Sequence, residues 1–225
     1  VHAVEIGRRV YDKVVSYVRY QMTQLLALIF LFLAATIFNI NEGVALTPSM
    51  VLYLLFFATA VGVGIIALDP GDPDVMLRRP RDPSLAITNS SAVLTWIGYA
   101  AVLFCAAIIP LIAGPDAPST SQPTASLTMT FVVLGFGTAM NAIVNRRDPA
   151  SGLAPPILSA FLIAMITVVM LLLATELPLL REALLTTRLT PAQWLTCLLL
   201  AAALPAVVEI AKLVRRRRLD HSGPV

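Results

Sequence analysis

Three aspartates, Asp69, Asp72 and Asp74, stand close together in a stretch that continues to Arg79 and Arg81. Carboxylates at that density have the composition of a chelate for a hard cation, which needs about six to eight oxygen ligands. Pro70 and Pro73 interrupt the cluster, however, and a water-solvated loop is the plainer reading of the same residues. Elsewhere acids are scarce: Glu209 is the one acid well inside a long apolar block, with Lys212 three residues on as an i,i+3 partner. The oxygen donors inside apolar blocks are otherwise neutral, namely Gln21, Thr23, Gln24, Thr36, Thr59, Thr138 and Asn141. Gln21 and Gln24 share a helix face by their spacing, as do Thr138 and Asn141. Gln24, Thr59, Thr138 and Asn141 therefore form a candidate set with two uses. They either line a central polar pocket on an ion path or hydrogen-bond between helices and hold them together. No catalytic constellation is present: His2 and His221 are terminal, and Cys105 and Cys197 lack a CxxC partner or nearby histidine. Neither a metal site nor a disulfide is expected, and both thiols read as buried and structural.

The elements that must position these groups are set by composition. Of 225 residues, 58% are hydrophobic and only 13% are charged, and the apolar residues come in long blocks. These blocks are residues 21–38, 46–68, 92–113, 125–144, 153–175 and 191–214. Each approaches the roughly 20 residues that a helix needs to cross a bilayer core. Helices satisfy their own backbone amides in lipid, so the expected fold is all-α, a polytopic membrane bundle of about six helices. Trp96 and Trp194 lie near span ends, where aromatic anchors are expected. Gly62, Gly64, Gly135 and Gly137 read as close helix contacts. Residues 1–20 form a polar helical stalk continuous with the first span, and Thr47-Pro48 opens the second. A helical turn is expected near residues 179–185, outside the membrane.

The net charge of +3 does not signal a nucleic-acid partner once its distribution is considered. With the N-terminus in the cytoplasm and six alternating spans, every basic residue except Arg181 and Arg188 falls on the cytoplasmic side. That asymmetry predicts cytoplasmic termini at both ends. The tail Arg215–Arg218 then reads as a topology anchor and phospholipid contact, with the bilayer itself as partner.

Several short stretches resemble the C-terminal membrane half of calcium-pump-like P-type cation-transporting ATPases. Gly7-Arg8-Arg9-Val10-Tyr11-Asp12 with Val18-Arg19-Tyr20 is similar to the stalk leading into their fifth transmembrane helix. Leu46-Thr47-Pro48 resembles the start of their sixth. Asp69-Pro70-Gly71-Asp72-Pro73-Asp74-Val75-Met76, followed by Arg79-Pro80-Arg81, resembles the loop between the sixth and seventh. Leu189-Thr190-Pro191-Ala192-Gln193-Trp194 and Leu204-Pro205 with Glu209 resemble the tenth. The resemblance implies helices five to ten of an ATP-driven cation pump, in the plasma membrane, working with an N-terminal pump portion in the same or a separate polypeptide. ATP and Mg2+ would act only through that portion, since no Asp-Lys-Thr-Gly sequence and no glycine-rich phosphate cradle occur here. By the same resemblance Asp69, Asp72, Asp74, Arg79 and Arg81 belong to a loop that couples the phosphorylation domain to the membrane. The family's ion ligands do not carry over. Their Asn and Glu positions in the fifth helix are Leu25 and Leu28, and the Asn, Thr and Asp positions in the sixth are Leu55, Ala58 and Thr59. The Glu position of the eighth is Thr138. A pump-like scaffold that no longer binds ions is the alternative reading.

Overall fold

The computed structural model describes residues 2–71, 76, 90–146 and 158–221, with residues 91, 159, 163, 212 and 214–221 through their backbone only. Among the described residues every regular element is helical. The first, α1 (His2–Ile37), runs 36 residues without a break, with no Gly or Pro between Arg8 and Ile37 to interrupt the passage from stalk to apolar run. It stops where Asn39, Asn41 and Glu42 take left-handed backbone angles, φ 49°, 52° and 57°. Gly43 follows at φ 85°, completing the reversal.

Helix α2 (Pro48–Leu68) begins at Thr47, whose hydroxyl accepts the Met50 N–H at 3.3 Å, with Pro48 in the first turn. A π-helical turn, Leu54–Ala58, interrupts it. Helices α3 (Ser90–Ala113), α4 (Ala125–Asn145) and α5 (Leu158–Glu176) follow. Residues 153–157 of the expected fifth span lie outside the described residues. At Leu177 the chain turns by 84° into the short α6 (Pro178–Leu184), the turn expected outside the membrane. Leu185, at φ 57°, ends α6, and α7 (Pro191–His221) completes the chain. Among the described residues five helices are long and apolar enough to cross a membrane, or six if the bent α5–α6 pair is one span.

Helix α4 is the centre of the bundle. It touches α1, α2, α3, α5 and α7, and every residue from Ser126 to Ala139 is buried. The approach is close because Gly135 and Gly137 leave room. A Cβ on Gly135 would meet the Leu171 methyls of α5, and one on Gly137 would meet Leu103 of α3. Gly62 of α2 likewise sits directly against the Tyr20 ring of α1. The outward faces are apolar, as on α5, where Phe161, Leu162, Met165, Ile166, Val169 and Leu172 are exposed. For a chain solvated by lipid such a face costs nothing.

Two expectations about side chains are corrected. Trp96 is buried, only 4% exposed, because the face of α3 that carries it turns inward. Cys105 is exposed on the same helix's outer side, whereas Cys197 is buried and donates to the Met129 carbonyl at 3.7 Å.

Candidate functional site

The polar residues of α1, α2 and α4 meet inside the bundle. Gln24 Nε2 donates to Thr59 Oγ1 at 3.1 Å, joining α1 to α2. Thr59 Oγ1 in turn donates to the Leu54 carbonyl at 3.3 Å, five residues back, where the π turn begins. That spacing belongs to a π turn, and such turns recur at functional places in helices. Asn141 Nδ2 donates to the Tyr20 carbonyl at 3.1 Å, joining α4 to α1. Thr138 points its hydroxyl back along α4, donating to the Leu134 carbonyl at 2.8 Å. Of the four candidates the structure thus joins Gln24 to Thr59 directly and brings Asn141 to the adjoining turn of α1. Thr138 has its hydrogen bond within its own helix.

Two members of this seam were not among the expected site residues. Tyr20 is fully buried, and its hydroxyl donates to the Thr59 carbonyl at 3.4 Å. Asn145, expected in a turn, is the last helical residue of α4, and its Nδ2 donates to Asn141 Oδ1 at 2.5 Å. The i,i+4 spacing of Asn141 and Asn145 is the pattern that marks them. On α1 and α4, Gln21 Oε1, Thr23 Oγ1, Gln24 Oε1 and Asn145 Oδ1 are buried without a hydrogen-bond partner among the described residues. They are neutral acceptors. Such oxygens can take hydrogens from water or face a cation, but they offset the desolvation of a dication far less than carboxylates do. Leu25 and Leu55, where the resembled family has oxygen ligands, lie on the outside of the bundle, 48% and 43% exposed. Among the described residues no group of three or more His, Cys, Asp or Glu could hold a metal ion.

Of the expected coupling loop its root, through Gly71, and Met76 are described. Asp72, Asp74, Arg79 and Arg81 lie outside the described residues, as does the side chain of Lys212, the expected partner of the half-buried Glu209. Asp69 is buried, and its Oδ2 stands 3.3 Å from Arg146 Nε at the end of α4. Both side chains are almost fully enclosed, 2% and 3% exposed. Removing one member of such a pair typically costs about 3–5 kcal/mol, because the other charge is left buried. Lys13 Nζ donates to the Ala67 carbonyl at 2.7 Å and Arg9 to the Pro70 carbonyl at 3.5 Å, so basic groups gather on the last turn of α2. Cations are favourable there, at the negative end of a helix dipole. The opposite end of the bundle holds different chemistry. Asp116 accepts the N–H groups of Ala125 and Ser126, both at 2.8 Å, at the start of α4. Partial burial works against its charged form, but the hydrogen bonds from Ser126 and Ala125 win and hold its carboxyl below the usual range.

Helices of this length and apolarity, wrapped around a buried central helix with a neutral polar seam, define an integral, multi-pass membrane protein. Residues 43–214 match the family described as cation transporting ATPase, C-terminus, and the chain belongs to that family. It is thus a membrane part of a cation-transporting P-type ATPase. A calcium-transporting ATPase type 2C member 1 from Bos taurus is 25% identical over 227 aligned positions, covering 99% of this chain and 23% of the relative. The chain therefore spans about a quarter of that relative's length.

Proposed function

We propose that this chain supplies six membrane helices to the transport domain of an ATP-driven cation pump, seated in the plasma membrane with both termini in the cytoplasm. ATP hydrolysis, with its Mg2+, belongs to an N-terminal pump portion that precedes this region in the same polypeptide or pairs with it. Orientation is supported by charge: Arg9, Lys13 and Arg146 gather at one end of the bundle, while Arg188 pairs with Glu176 at the other, 3.1 Å apart. The apolar outer faces are then shared between lipid and the remaining pump helices.

The observation that carries the reading is the Gln24–Thr59–Leu54 chain at the π turn of α2, with Asn141 bound to the adjoining turn of α1. Gln24, Thr59, Thr138 and Asn141 are proposed to border the cation path, with Asp69, Asp72, Asp74, Arg79 and Arg81 in the loop that couples it to the phosphorylation domain. The test is the double variant Thr59→Ala/Asn141→Ala in the complete pump. Reduced cation-stimulated turnover with preserved protein level is the expected result. Unchanged turnover would remove these residues from the path and favour a scaffold held together by the same bonds.

A further inference from the structure

Arg146 had no place in the expected site, yet it holds together three helices at the end where the Asp69 loop departs. Its guanidinium faces Asp69 at 3.3 Å, just past the end of α2. Its own carbonyl accepts the Ser16 hydroxyl of α1 at 3.3 Å, in a buried contact. Asp69 uses its other oxygen, Oδ1, to accept the Gly71 N–H at 2.7 Å, which closes the first turn of the loop. Lys13 of α1 reaches the same turn of α2 through the Ala67 carbonyl. One carboxylate thereby closes the turn at Gly71 and stands against the end of α4.

The enclosure of the pair decides how it can move. Two opposite charges withdrawn from water stand 3.3 Å apart, and drawing them apart inside the bundle would lose an attraction that water does not replace there. The ends of α1, α2 and α4 are therefore expected to shift together rather than slide past one another. We propose that Asp69–Arg146 is a rigid joint and that Arg146 is a positioning residue for the coupling loop. This inference rests on the pump reading for its purpose, but not for its geometry.

The experiment compares Asp69→Asn, Arg146→Gln and the double Asp69→Asn/Arg146→Gln with the unaltered chain. Amide hydrogen exchange is followed at Gly71 and at Ala142–Asn145 in the 225-residue protein embedded in lipid nanodiscs. Each single variant should raise exchange at both places by about tenfold or more, including on the helix that was not altered. The double variant should recover most of that protection, because two facing amides bury no net charge. Faster exchange confined to the altered element, or a double variant as loose as the worse single, would overturn the joint. In the complete pump, the single variants should lower the number of cations moved per ATP hydrolysed, and the double should restore it. A general loss of protein and turnover at an unchanged ratio would mark the pair as merely structural. Failure of the unaltered pump to move cations would count against the functional reading, while the exchange result would still judge the joint.

Discussion

Gln24 and Thr59, 35 residues apart in sequence, are joined by a single hydrogen bond that ties α1 to the π turn of α2. Hydrogen bonds between membrane helices are individually modest, averaging about 0.6 kcal/mol and reaching about 1.7. Gln24→Leu and Thr59→Val should each lower stability by an amount in that range. Their combination should cost clearly less than the sum, since both remove the same bond. Unfolding in mixed detergent micelles, read by far-ultraviolet circular dichroism, measures all three. Fully additive costs would mean that the two side chains do not interact.

Close contacts should differ in how they tolerate a methyl group. At Gly62 the obstacle is the ring of Tyr20, which is fully buried and held at its hydroxyl by the Thr59 carbonyl. At Gly137 it is a methyl of Leu103, the far end of a flexible side chain. Gly62→Ala should therefore cost about 1–3 kcal/mol, in the range of an overpacked core. Gly137→Ala should cost distinctly less. The same unfolding assay ranks them, and equal costs would show that Tyr20 gives way as easily as Leu103.

Asp116 should make stability depend on pH at the end of the bundle away from Arg146. Its folded carboxyl titrates below the ordinary value, so its contribution is complete above the unfolded pKa and is lost as pH falls through the folded one. Asp116→Ala should remove that contribution, about 0.5–1 kcal/mol for an exposed cap of α4 at neutral pH. Between about pH 5 and pH 2 the unaltered chain should lose this increment and converge on the variant. A difference that stayed constant down to pH 2 would exclude the carboxylate as its source.

Helix positions were legible because lipid leaves the backbone one economical way to satisfy itself. The unbroken run through Arg19 and Tyr20 predicted a continuous α1, and Thr47-Pro48 marked the start of α2. Glycines were legible for a similar reason, since Gly62, Gly135 and Gly137 have little use in a membrane helix except close approach. Which face turned inward was harder. Trp96 and Cys105 occupy one helix, and residue type alone assigned both wrongly, because the neighbours of α3 decide the matter.

The polar seam was legible as a set of residue types and not as a set of partners. Gln24 could have met any of several oxygens, and nothing in Leu54-Leu55-Phe56-Phe57-Ala58 announces a π turn. Arg146 illustrates the limit best. Its sequence neighbours place it among basic residues expected at a membrane surface, yet 97% of its side chain is withdrawn beside Asp69. Only the meeting of two chain segments that are distant in sequence creates that environment.

The uninterrupted length of α1 has a mechanical consequence. Thirty-six residues at about 1.5 Å each make a rod of about 54 Å, of which a bilayer core takes up about 30 Å. Roughly 24 Å then projects beyond the hydrocarbon, and leaning such a rod by about 10° would sweep its outer end through about 4 Å. Small inclinations in the membrane are thus magnified outside it, and a push on the tip is geared down into a fine adjustment beside Gln24.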